Sequence, residues 1–236
     1  MTYRGKNVAL DVLTVTDGDE VTLTPPPQQE AVAVLLTGEV TWNGVSASRK
    51  DVFSESASAA YFLSALEVIA HAPSEIAFVT SLGYDDMHGE TQFVEPNEVV
   101  AHERGRPPWQ RTVHDIVADN VRASHLIVGE TFNEPGQWSS FPPHKHDGRD
   151  DEPALEEVYY YRFDKPDGFG FQGLYDADGS ETAVFLRHGA VVGIPHGYHP
   201  VCAAPGYRLY YLWALVGSPR RLAMHEDPAH RWLHQM

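Results

Sequence analysis

His144 and His146 stand two residues apart in FPPHKHD, residues 141–147, and Glu157 heads the aromatic run EVYYYRF that follows. Further along, His199 lies in PHGYHPV, residues 195–201. If the HKH segment is extended, both of its histidines point to one face, because side chains alternate along a strand. Two imidazoles do not close a metal site. A carboxylate and a third imidazole from neighbouring strands would complete a set of three nitrogens and one oxygen. That set suits one divalent ion, of the Zn, Mn, Fe, Co or Ni kind, with its identity open. The competing reading makes His144 and His146 surface histidines of a proline-rich loop, in a chain with 13 histidines. The Pro-His-Gly-Tyr-His-Pro turn after an apolar strand favours the metal. Glu156 is the alternative carboxylate. Glu157 is preferred because it shares a strand face with Tyr159 and Tyr161. Lys145 points away from that face and reads as structural or as a support behind the ligands; of the nearby His196 and His188, His196 reads as a solvated turn histidine.

The elements that must position these groups read as strands. Short apolar runs broken by Gly and Pro dominate: VALDVLTV, DEVTLT, AVAVLL, EVTWNG, YFLSALEVIAH and EIAFVTS. This pattern predicts an all-β, largely antiparallel protein. The signals WNG at 42–44 and DADG at 176–179 predict hairpins. Residues 109–120, WQRTVHDIVADN, carry the one short amphipathic pattern that suggests a helix.

A duplication shows faintly. EAVAVLLTGE at 30–39 matches EVYYYRF, AHAPSEIAFV at 70–79 matches AAPGYRLYYL at 203–212, and KDVF at 50–53 matches HGAVV at 188–192. Two stacked copies of one β-unit are expected, with 1–105 as the first barrel and its linker and 106–236 as the second. The first copy lacks the chemistry: TPPPQQ at 24–29 stands for PPHKH, and Ala60 and Tyr61 are read as the positions matching His199.

The net charge of −16 makes nucleic acid and anionic membrane surfaces poor partners. Any anionic substrate then needs a local cation. The single cysteine, Cys202, excludes an internal disulfide and is expected to be an inert core thiol. The opening MTYRGKNVAL has no apolar signal core, and a cytoplasmic location is expected.

The metal motifs resemble those of the cupin superfamily, G(X)5HXH(X)3–4E(X)6G and G(X)5PXG(X)2H. Here Gly136 precedes HKH by seven residues, and Glu157 follows after a longer loop. Gly189 leads to Pro195-His196-Gly197, with His199 after one residue rather than two. Within the superfamily, GETFNEPGQWSSFPPHKHD, EEVYYYRF, GFGFQGLY and PHGYHPVCAAPGYRLYYLWALVG resemble the 5-deoxy-glucuronate isomerases of bacterial inositol catabolism. The resemblance is dense over 111–217 and thin over 1–110.

It implies a bicupin of two jelly-roll barrels, with one metal held by His144, His146, Glu157 and His199. It also implies conversion of 5-deoxy-D-glucuronate to 2-deoxy-5-keto-D-gluconate, a small sugar acid being the substrate. The catalytic base is left open among Tyr161, Glu156 and a metal-bound hydroxide, and so is a hydride shift in place of proton transfer. Tyr159, Tyr161 and Tyr211 would meet substrate hydroxyls, or else pack with their own hydroxyls satisfied. Gln172 and Arg187 are candidates for a sugar hydroxyl and the carboxylate, the guanidinium offering a two-pronged donor. Arg187 also reads as a solvated hairpin residue. Rival functions are an iron dioxygenase with the same ligands and a non-catalytic sugar-binding bicupin. A homo-oligomer, most simply a twofold dimer, is expected from exposed strand edges.

Overall fold

The computed structural model describes residues 2–84, 86–149 and 151–235. Its strands begin with β1 (Thr2–Arg4), β2 (Val8–Val15), β3 (Glu20–Leu23), β4 (Ala31–Trp42), β5 (Val45–Arg49), β6 (Ala59–Phe62), β7 (Leu66–Ala70), β8 (Ser74–Ser81) and β9 (Gln92–Val94). They continue with β10 (Val100–Arg104), β11 (Arg111–Val117), β12 (Leu126–Asn133), β13 (Trp138–Ser139), β14 (His144–Lys145), β15 (Leu155–Phe163), β16 (Phe169–Tyr175) and β17 (Glu181–Arg187). The last are β18 (Val191–Ile194), β19 (Val201–Ala203), β20 (Leu209–Gly217) and β21 (His225–Glu226), before a 3-10 turn over Pro228–Gln235. The protein is all-β, as the broken apolar runs predict. No helix among the described residues is long and apolar enough to cross a membrane.

Both predicted hairpins form. Trp42 pairs with Val45 across Asn43 and Gly44, which have φ of 47° and 84° as a tight primed turn requires. Tyr175 pairs with Glu181 across the DADG turn. The predicted helix at 109–120 does not form. Its centre is β11, which lies between β10 and β12 in a sheet. Thr112, Val113, Ile116 and Val117 are β-branched, and pairing on both sides outweighs a weak helical period.

Strand order makes the duplication explicit. One sheet runs β1-β2-β8-β4-β6-β9, and another runs β10-β11-β12-β20-β15-β18. In the first, β4 pairs β6 and β8; in the second, β15 lies between β18 and β20. Likewise β3-β7 and the far half of β4 with β5 match the order β13-β19-β16-β17. Contacts divide the chain into two compact units, 1–100 with 115–129 and 214–216, and 101–114 with 130–213 and 217–236. Pieces of the later strands therefore join the first unit, which a single cut at 105 does not describe.

Register identifies equivalent positions residue by residue. Glu157 pairs with Ile194, the last residue of β18, and Ala31 pairs with Phe62, the last of β6. Ala31 thus stands where the second copy has Glu157. Gln172 pairs with Val201, and Trp42 pairs with Val68. Two residues back from those partners are His199 and Leu66. Leu66, rather than Ala60 or Tyr61, is the counterpart of His199. Ala31, Ala33, Leu35, Trp42, Leu66 and Val68 belong to one buried apolar cluster. The interior of the first unit is filled by hydrocarbon where the second carries polar chemistry.

Candidate metal centre

The HKH segment is held open by a short ladder, in which His144 pairs with Glu226 and Lys145 with His225. Lys145 points away from its histidine neighbours and is buried between Asp147 and Glu152, both within ion-pair reach. The second loop turns at Gly197, whose φ is 86°. A Cβ there would lie 2.6 Å from the Tyr175 carbonyl oxygen, so the turn that delivers His199 demands glycine.

The imidazoles share one device. His146 Nδ1 faces the Leu155 carbonyl at 2.8 Å, His199 Nδ1 the Gly197 carbonyl at 3.0 Å, and His144 Nδ1 the Pro142 carbonyl at 3.4 Å. Each Nδ1–H donates to a backbone oxygen, which leaves Nε2 as the inward nitrogen. His146 Nε2 lies 2.9 Å and His199 Nε2 3.3 Å from the same atom, Glu157 Oε2. The ligand atoms of His146, Glu157 and His199 all lie within 4.8 Å of one another. His144 joins through its ring, whose centre is 4.9 Å from that of His199. His146, Glu157 and His199 are buried, whereas His144 is half-buried.

The donors fit a divalent cation. His199 Nε2 is a buried nitrogen with no hydrogen-bond partner among the described residues. A fully buried polar atom left in that state is costly unless something else satisfies it. Three neutral imidazoles and a carboxylate form a borderline donor set. Burial drives His144 and His199 down to about 3, so both are neutral and ready to ligate at neutral pH. Burial alone would also lower His146, but the hydrogen bond and charge of Glu157 outweigh it and raise that imidazole. A metal must therefore displace a proton from the His146–Glu157 pair. Zinc titrated calorimetrically into metal-free protein, in buffers of different ionisation enthalpy, should release protons, with affinity rising as pH rises. A heat that is independent of buffer would refute this.

The tyrosines gather on the same interior. The Tyr159 ring centre lies 5.9 Å from that of His199, 5.9 Å from Tyr161 and 4.6 Å from Tyr211. Their hydroxyls are satisfied internally: Tyr161 donates to Gln172 Oε1 at 2.8 Å, Tyr211 donates to Ser139 Oγ at 3.0 Å, and Tyr159 shares a hydrogen bond with Ser140 Oγ at 3.0 Å. Burial raises Tyr159 and Tyr161 well above the ordinary phenol value, so both hold their protons near neutrality. Gln172 is fully buried, and its Nε2 makes no hydrogen bond among the described residues. Glu156 is buried on the opposite face of β15 from Glu157, by the alternation of the strand.

Arg187 is not at the centre. It pairs with Phe169, one step along the ladder from Phe171 opposite Phe185, and those two rings are 42% and 48% exposed. Paired residues share a face, so Arg187 lies on the outer surface, its guanidinium carbon 4.8 Å from the Phe185 ring centre. Gln172 and Val184 occupy the other face. Cys202 is likewise half-buried on that outer side, paired with Trp138 and Phe171, rather than in the core. Arg111 is a half-buried cation whose charge bears on His144, and sequence reasoning did not single it out. It lay inside the presumed helix, and only its chain position near the dense resemblance hinted at it.

A family model described as the KduI/IolB family matches residues 2–233. The chain is 35% identical over 216 residues to the 5-deoxy-glucuronate isomerase of Geobacillus kaustophilus, covering 87% of this chain and 78% of that protein. Among solved structures, an IolB-like protein of Salmonella typhimurium superposes with a TM-score of 0.87 at 31% identity, covering 97% of this chain and 90% of that one. A cupin 2 conserved barrel domain protein from Leptotrichia buccalis superposes with a TM-score of 0.50 at 14% identity over 92% of this chain and 87% of that one, a likeness of fold alone.

Proposed function

The chain belongs to the KduI/IolB family, and on that premise we propose that it is a metal-dependent aldose–ketose isomerase. It converts 5-deoxy-D-glucuronate to 2-deoxy-5-keto-D-gluconate in inositol catabolism. The observation that carries this reading is a match to named 5-deoxy-glucuronate isomerases along most of the chain. The cluster beside Glu157 supplies chemistry suited to it.

His144, His146, Glu157 and His199 would hold one divalent metal. A metal there supplies Lewis acidity toward the carbonyl and neighbouring hydroxyl oxygens of the sugar. The protein's own groups supply the rest. The backbone carbonyls on each Nδ1 fix the imidazoles, so little reorganisation is needed when the site loads. Tyr159 and Tyr161 hold their protons and act as hydrogen-bond donors rather than bases. Gln172, its Oε1 taken by Tyr161, turns Nε2 toward a partner such as a sugar hydroxyl. Glu156 faces away and is not the base.

The reaction moves hydrogen between adjacent carbons and between their oxygens, and consumes no second reactant. It should therefore run at full rate without oxygen. Metal-analysed protein incubated anaerobically with 5-deoxy-D-glucuronate is expected to yield the keto acid, followed by NMR. Oxygen uptake without isomerised product would replace this reading with the dioxygenase, and tight sugar binding without turnover would replace it with the binder.

A further inference from the structure

An anionic substrate in a chain of net charge −16 needs a cation at the site. Lys145 is committed to Asp147 and Glu152. Arg162 lies on the face of β15 opposite Glu157, its Nε donating to the Tyr160 hydroxyl. Arg187 is on the outer surface. Arg111, at the start of β11, is the cation whose charge bears on His144.

Arg111 is anchored by one corner. Its Nη1 donates to the carbonyl of Phe141 at 3.1 Å and to that of Trp109 at 3.3 Å, and the Trp109 and Phe141 rings pack with centres 5.6 Å apart. Phe141 is three residues before His144, so the guanidinium is tied to the segment that carries two of the imidazoles. Its charge is felt at Tyr159, Tyr211 and His144. Nε and Nη2 make no hydrogen bond, and the guanidinium no ion pair, among the described residues. Arg111 and His144 are both half-buried, whereas His146, Glu157 and His199 are buried. Arg111 and His144 are thus the less buried members of this group, and both are within reach of the same charge interaction.

We propose that Arg111 receives the carboxylate of the sugar acid, with Nε and Nη2 as a two-pronged donor and Nη1 holding the guanidinium against the HKH segment. The Nε–Nη2 edge matches the spacing of two carboxylate oxygens, which a lysine ammonium does not. The assignment rests on the isomerase reading and deepens it, since it sets the distance between the anionic end of the substrate and the metal ligands.

The test compares wild type with Arg111→Lys and Arg111→Gln, each with its metal content measured. Two quantities are read: KM for 5-deoxy-D-glucuronate, and the inhibition constant of 5-deoxy-D-glucose, in which a primary alcohol replaces the carboxylate. Arg111→Gln should raise KM for the acid roughly ten- to a hundredfold, while kcat falls less and the neutral sugar binds within about twofold of wild type. Arg111→Lys keeps the charge, loses the fork and should fall between. Metal content should not change in either. Unaltered KM for the acid in Arg111→Gln overturns the proposal. So does an equal loss for acid and neutral sugar, or loss of metal, since Arg111 would then be a brace for the HKH segment. A wild type that does not isomerise the acid defeats the isomerase reading itself, whatever the variants do.

Discussion

Replacing His199 by alanine is expected to empty the chain of bound metal and lower turnover by well over the roughly 10–100-fold that loss of a supporting partner costs. His199 is fully buried, and its Nε2 and that of His146 converge on one oxygen of Glu157. Without it the site keeps two imidazoles and a carboxylate. Among the described residues, the duplicated half has no matching His/Glu cluster to take over. The counterparts of Glu157 and His199 there are Ala31 and Leu66, packed in an apolar cluster. Elemental analysis of purified protein should therefore fall from about one metal per chain to near zero. Metal binding to the folded state alone adds about 4 kcal/mol of stability when the metal is at a thousand times its dissociation constant. The variant should lose that increment. Comparing its melting temperature with that of metal-free wild type separates metal loss from the cavity left by the ring. Full metal occupancy in His199→Ala would falsify the ligand set.

Glu30→Ala should have the largest effect on folding. Glu30 is fully buried in the first unit, where its carboxylate accepts the amides of Ser124, His125 and Leu126 at 2.7, 2.6 and 2.6 Å. The Tyr61 hydroxyl donates to it at 2.7 Å, and burial together with the carboxylate's charge raises that phenol above its ordinary range. Removing the carboxylate takes one acceptor from three buried amides at once, and leaves the Tyr61 hydroxyl with only the longer contact to the His88 carbonyl at 3.3 Å. A buried donor left without its acceptor costs about 1–3 kcal/mol, so several together take a large share of the roughly 5–15 kcal/mol that holds a domain together. Glu30→Gln keeps the shape but turns an amide N–H toward donors, and should be nearly as damaging. Urea unfolding gives the difference, and a loss under about 1 kcal/mol would show that water reaches these groups and replaces the carboxylate.

The motif residues were readable because their information is local. HKH, the Gly-Tyr-His turn and the aromatic run each fix side-chain direction within a few residues, through the two-residue period of a strand and the φ that only glycine adopts freely. The all-β class and the duplication were readable for the same reason, since broken apolar runs and turn pairs repeat in order. Four features were settled by tertiary structure. Gln172, on the strand after the first motif, and Arg187, just before the second, both read as site residues, yet the β16–β17 register puts them on opposite faces. Residues 111–117 had an ambiguous period, and two flanking strands made them β11. The loss of chemistry in the first copy showed as missing histidines, but register was needed to identify Leu66 as the replacement for His199. Arg111 is held beside the HKH segment because the carbonyl of Phe141, distant in sequence, accepts from its guanidinium. Spacing along one strand fixes which side chains share a face. Which strands meet, and at what offset, depends on hydrogen bonds and packing between distant segments, and these have no local signature in the chain.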